Sequence, residues 1–182
     1  TPSYATTHSL DNYMVEQSHK ITGTVTSVPS SLGANAFDGV TSTMFVSYID
    51  DNCYVQVEFE EGKVGRVDKV KYFMNRMKDK QTNFVDKLKF QTSSDGTNWN
   101  DEFTADTSLK EGWNEHIPEN ALKYRYYRFY SAPKEACQIG EIELWGNVVE
   151  ESVATSKTCD VVVKAAGGAS QTFTDQVTYS DD

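Results

Sequence analysis

The sequence predicts an all-β protein, a sandwich of antiparallel sheets. Three observations carry this. Short runs alternate strictly between apolar and polar residues, which marks half-buried antiparallel strands. Turn signals separate the runs at Asp38-Gly39, Glu61-Gly62, Asp95-Gly96 and Glu111-Gly112. No long amphipathic helical pattern occurs, and Tyr, Phe, Val and Thr are abundant.

The clearest strand is Cys53 to Phe59, with Cys53, Val55, Val57 and Phe59 on one face and Tyr54, Gln56 and Glu58 on the other. Val67 to Met74 repeats the pattern and points Val70, Tyr72 and Met74 inward. Asp86 to Gln91 turns Leu88 and Phe90 inward. Tyr124 to Tyr130 is a Tyr/Arg/Phe run that reads as covered on both sides. Ile142 and Leu144 alternate with Glu141, Glu143 and Trp145, and Asn147 closes the last clear strand. Two such sheets hide their apolar faces against each other. The expected division is a sandwich over residues 1–147 and an extension over 148–182. In the extension, 148–157 reads as linker or exposed edge, 160–164 and 172–179 as short strands, and Gly167-Gly168 as a turn. The extension is too short to bury a core alone, so it adds strands or begins a further module.

Of 182 residues, 38% are apolar and 24% charged, enough for an ordinary core. The net charge is −10, and even the densest basic stretch, Arg66 to Lys89, is broken by Asp68, Asp79 and Asp86. Nucleic acid and anionic membrane both require clustered Lys and Arg, so neither is expected as a partner. No apolar run reaches the ~20 residues of a membrane span, so membrane insertion is not expected. The start, Thr1-Pro2-Ser3-Tyr4, reads as that of a mature or excised segment. Three cysteines, Cys53, Cys137 and Cys159, include no C-x-x-C pair. A Cys53–Cys137 disulfide and buried thiols are both open. No G-x-S-x-G, H-E-x-x-H, P-loop or dinucleotide fingerprint is present. His8, His19 and His116 are scattered, with no paired carboxylate or serine between them. Catalysis is not expected.

Five segments in order carry a family resemblance. They are Ala36-Phe-Asp-Gly-Val-Thr-Ser-Thr43 with Phe45 and Ser47, Tyr54-Val-Gln-Val-Glu-Phe59, Ser93-Ser-Asp-Gly-Thr-Asn-Trp99, Arg125-Tyr-Tyr-Arg-Phe129, and Ile139-Gly-Glu-Ile-Glu-Leu-Trp-Gly146. Together they resemble the coagulation factor V/VIII C-type, or discoidin, family over about residues 30 to 147. The resemblance implies a galactose-binding-like jelly roll, used extracellularly for binding. The family's first-motif Trp is Phe45 here.

The resemblance also implies a site. Its sugar-binding members commonly hold one structural Ca2+ ion. By position, Asp38 and Glu141 would give carboxylates, Thr43 its hydroxyl and carbonyl, and Asn35, Val40 and Gly140 backbone carbonyls. That donor set suits calcium, which takes six to eight oxygens. Without His or Cys it does not suit zinc or copper. Ligands would meet loops at one end of the sandwich. Arg76 matches a family contact position, with Gln81 or Asn83 as the accompanying amide and Tyr48, Trp113 or Tyr130 as stacking platforms. Trp99 and Trp145 read as core or rim. The family's histidine six positions before Asp38 is Leu32 here, so galactose itself is not the expected sugar. The leading expectation is a secreted carbohydrate-binding module within a larger protein, meeting a glycan or a cell-surface glycoprotein. The alternative is a protein-binding cell-adhesion module without sugar affinity. A third reading, a membrane reader with Met44-Phe45 as an apolar spike, is opposed by the acidic charge.

Overall fold

The computed structural model describes residues 17–47, 52–75, 88–105, 111–133, 137–151, 157–164 and 170–179. The chain forms two compact units, 1–150 and 151–182.

The first unit contains two antiparallel five-stranded sheets and a two-stranded ribbon. One sheet runs in the order β1 (His19–Ile21), β12 (Glu141–Glu150), β5 (Lys63–Met74), β8 (Gly112–His116), and β9 (Leu122–Tyr124) also pairs with β5. The other runs β2 (Thr24–Val28), β4 (Cys53–Glu58), β10 (Tyr126–Ser131), β6 (Lys89–Ser93), β7 (Asn100–Thr104). The ribbon joins β3 (Phe45–Ser47) to β11 (Cys137–Ile139), and a 3-10 turn spans Gly33–Ala36. Among the described residues no helix is long and apolar enough to cross a membrane.

The alternation in the sequence becomes the core. In β4, Cys53, Val55 and Val57 are buried while Tyr54, Gln56 and Glu58 are half-buried, and Phe59 is buried just beyond the strand. Val70, Tyr72 and Met74 of β5 point inward, as do Leu88, Phe90, Ile142 and Leu144. Tyr72 of one sheet meets Phe129 of the other at a ring separation of 5.3 Å, which fixes the two inner faces against each other. The buried Tyr127 hydroxyl crosses the core to donate to the Gly65 carbonyl at 2.6 Å and accepts from the Tyr124 N–H at 3.1 Å. Burial pushes this phenol well above its ordinary pKa. The run expected to be covered on both sides is half-covered on one: Tyr127, Phe129 and Ser131 are buried, whereas Tyr126, Arg128 and Tyr130 are intermediate. A central strand of a solvated sheet has that pattern.

Two details differ from the sequence reading. The last strand continues past Asn147, and Val148, Val149 and Glu150 pair with Gly65, Val64 and Lys63. A bulge between Trp145 and Gly146 re-aims the strand. A Cβ at Gly146 would run into the Arg66 carbonyl, so the bulge requires glycine. The second difference is Phe45. It is wholly buried, so it is a core residue and cannot serve as an exposed apolar spike.

The second unit contains β13 (Lys157–Lys164) and β14 (Ser170–Tyr179), an antiparallel pair with a register shift between Cys159 and Val161.

Candidate functional site

The 38–43 turn is built by its own polar groups. Asp38 Oδ1 accepts from the Val40 N–H at 2.7 Å, and Oδ2 accepts from the Thr43 hydroxyl at 2.8 Å. The Val40 carbonyl accepts from the Thr43 N–H at 3.2 Å and lies 2.7 Å from the Thr43 hydroxyl. Gly39 has φ +79°, the left-handed region that glycine enters without Cβ strain. Asn35 opens the same segment, its side-chain amide donating to the Met44 carbonyl at 3.2 Å.

This turn is tied to the far end of the chain. The Gly39 N–H donates to Glu141 Oε1 at 3.1 Å. Glu141 was expected on the polar side of its strand, yet it is only 1% exposed. Its second oxygen, Oε2, is buried without a hydrogen-bond partner. Burial, then the nearby Asp38 charge, push its carboxyl above the ordinary value, while the Gly39 bond pulls the other way. The sequence reading missed a second such group, Asn75. Its amide donates to the Thr41 carbonyl at 2.8 Å, and its Oδ1 is also buried and unpartnered. A Cβ on Gly140 would occupy the place of that oxygen. The Gly140 N–H donates to the Phe73 carbonyl at 2.8 Å, which seats Gly140 against the end of β5.

All six expected metal ligands therefore belong to one neighbourhood, or to the segments that frame it. Two orphaned acceptor oxygens, Glu141 Oε2 and Asn75 Oδ1, lie within that framework. Buried polar atoms in folded proteins are nearly always satisfied, so a missing partner of opposite polarity is the simplest account. Among the described residues no cluster of three or more His, Cys, Asp or Glu side chains could hold a metal. The donors here are mostly carbonyl, amide and hydroxyl oxygens with two carboxylates, the hard set that calcium accepts.

Trp113 is the second residue of β8 and is 41% exposed. It lies opposite Phe73, which lies opposite Glu141, so the three form one cross-strand row. Phe73 meets the indole edge-on at 5.5 Å, and the Lys71 ammonium sits 4.6 Å from the indole centroid. The exposed ring is thus held at the same end of the sandwich as the 38–43 turn. Tyr48, Arg76, Gln81 and Asn83 lie outside the described residues, as does His8. The chain enters 76–87 directly from Asn75.

The other aromatic candidates are rim residues. Trp99 is half-buried beneath the Arg128 guanidinium at 3.7 Å. It is positioned by a closed loop in which Asp95 accepts from the Thr97 and Asn98 backbone N–H groups at 2.8 and 2.7 Å. Those bonds hold the Asp95 carboxyl well below the usual carboxylate range. Trp145 donates to Glu143 Oε2 at 2.8 Å, and the Lys69 ammonium lies 5.0 Å from its ring. Tyr130 packs against the Arg128 guanidinium at 4.6 Å on the outer sheet face.

With this geometry in view, comparison with known proteins defines the class. The fold is the galactose-binding-like β-sandwich, shared with the "CBM62" module of Clostridium thermocellum Xyl5A at a TM-score of 0.58 and 22% identity, covering 71% of this chain and 98% of that one. The lectin domain of lectinolysin, solved with Lewis B antigen, superposes at 0.53 with 17% identity over 69% of this chain and 93% of that one. A Clostridium perfringens module, CpGH89CBM32-5, solved with GalNAc-β-1,3-galactose, superposes at 0.51 with 16% identity over 66% and 93%. The F5/8 type C domain model matches residues 20–142, and the chain belongs to that family. A sequence comparison with curated proteins finds no match.

Proposed function

We propose that this chain is a non-catalytic, extracellular glycan-binding module within a larger protein, recognising sugar through loops at the end of the sandwich where the 38–43 turn meets Glu141. One observation carries the reading: one oxygen of the buried Glu141 carboxylate and the Asn75 amide oxygen, both without a hydrogen-bond partner, frame that turn beside an exposed indole. The first two features fit a structural Ca2+ ion held by Asp38, Glu141 and Asn75 side chains with carbonyls of Asn35, Val40, Thr43 and Gly140. When bound, the ion would supply positive charge to the orphaned oxygens and fasten the first loop to β12. Trp113 offers an apolar ring to the C–H face of a sugar, and Arg76 follows in the segment that leaves β5. Relatives of the same fold solved with glycans support the ligand class.

The test is a glycan array probed with and without chelator, followed by titration calorimetry on the hits. Binding that is weakened by chelation and lost in Trp113→Ala supports the proposal. Failure to bind any glycan, with retention of a cell-surface protein instead, would move the adhesion reading ahead.

A further inference from the structure

The two cysteines of the first unit meet inside the core. Cys53 begins β4 opposite Ser131, and Cys137 begins β11 opposite Ser47. They are 84 positions apart in the chain. Both are 0% exposed. Their thiols are reduced here, hydrogen-bond to each other, and both reach the Ser131 side chain. Nothing in the glycan reading uses them.

We propose that Cys53 and Cys137 form a disulfide by exchange with an external low-molecular-weight or protein disulfide, clasping the β3–β11 ribbon to β4. The two sulfurs already lie within hydrogen-bonding reach, on strands whose backbones are fixed by ladder pairing. A disulfide tolerates only a narrow range of backbone separations, so the bond forms if the two ladders hold Cys53 and Cys137 within it. Within the pair Cys137 donates its S–H to Cys53, which favours the Cys53 thiolate and disfavours that of Cys137. In the first step the Cys53 thiolate attacks the external disulfide, forming a mixed disulfide and expelling one thiolate. Cys137 then loses its proton to solvent, attacks the Cys53 sulfur and expels the second thiolate. The protein gives up two electrons and two protons, and the external disulfide becomes two thiols. Both sulfurs are closed off in the folded state, so exchange proceeds before the strands close or through local opening.

The clasp has a location that matters. β3 follows the 38–43 turn, and β11 runs straight into Gly140 and Glu141. Closing it would stiffen the base of both segments that frame the proposed ion. That consequence rests on the glycan and calcium reading; the bond itself does not.

The experiment uses the full chain carrying Cys159→Ser, refolded in a glutathione redox buffer, then denatured and alkylated without reductant. The expected result is no alkylation, an intact mass two hydrogens below the reduced form, and a cross-linked peptide containing Cys53 and Cys137. A phosphine reductant should lower the thermal midpoint, and this shift should be absent in Cys53→Ser/Cys137→Ser. Alkylation of both Cys53 and Cys137 after refolding would overturn the proposal, leaving a reduced thiol pair packed as two small apolar groups. Because the mass readout needs no ligand, it separates failure of the clasp from failure of glycan binding.

Discussion

Glu141 is a carboxylate held almost wholly away from water, with one oxygen bonded to the Gly39 N–H and the other bonded to nothing. A cation would reverse the cost of that arrangement. At ~100 times its dissociation constant, calcium should raise stability by about 2.7 kcal/mol, because it binds only the folded state. Glu141→Gln and Asp38→Ala should each abolish the gain, as read by calorimetry on metal-stripped protein. Equal calcium response in wild type and both variants would rule out the site. Tyr127 carries a different load. Tyr127→Phe keeps the ring but strands the Gly65 carbonyl and the Tyr124 N–H, so denaturant melts should show a loss of about 1–3 kcal/mol. His116 stacks on Phe103 at 4.2 Å. Burial lowers its pKa below 6.5, against a smaller opposing pull from Glu102. The unfolded chain then binds the proton more readily, so stability falls as pH drops through 6.5 toward the lowered value. His116→Gln should flatten that part of the pH–stability curve; an unchanged slope would show that the group does not contribute.

At the level of elements, β12 is the organising strand. It pairs with β1 on one side and with β5 along its length on the other, and its bulge at Gly146 sends the final residues along the start of β5. The residues after the bulge pair as far as Glu150 with Lys63. A chain ending at Asn147 removes three paired residues and exposes the edge they cover. A chain ending at Glu150 keeps the whole ladder. Both should unfold cooperatively, with the shorter one melting at lower denaturant concentration. Equal midpoints would show that Val148–Glu150 pairing is stabilising nothing.

For the molecule as a whole, the net charge of −10 opposes polyanionic ligands. Two lysines on the outer face of the first sheet are already engaged, Lys71 with Glu143 at 3.6 Å and Lys20 with the same carboxylate at 4.0 Å. The protein should flow through a heparin column at low salt, and retention there would show that a local basic site outweighs the net charge. Glycan affinity should be modest, on the order of 0.1–1 mM, since few contacts must offset the cost of association. Arg76→Ala should weaken it in calorimetric titration, and an unchanged affinity would remove Arg76 from the site.

The sequence by itself determined the sandwich. Alternation at Cys53–Phe59 and at Ile142–Leu144 reports local backbone period directly, because a strand side chain faces one side or the other whatever its partner is. The family resemblance of its motifs gathered Asn35, Asp38, Val40, Thr43, Gly140 and Glu141 into one candidate site. What only the tertiary structure decided depends on contacts between distant segments. Asn75 looks like an ordinary polar residue at the end of a strand, and becomes an orphaned acceptor only when Gly140 is packed against it. Glu141 obeys the polar half of the alternation, yet the 38–43 turn folds over it and removes it from water. Phe45, read as a possible surface spike, is carried inward by the β3–β11 ribbon. For Cys53 and Cys137 the sequence left a disulfide and buried thiols both open, and only the packing of β4 and β11 brings their sulfurs together. In each case burial is set by what another part of the chain places on top, and that information is absent from any local pattern.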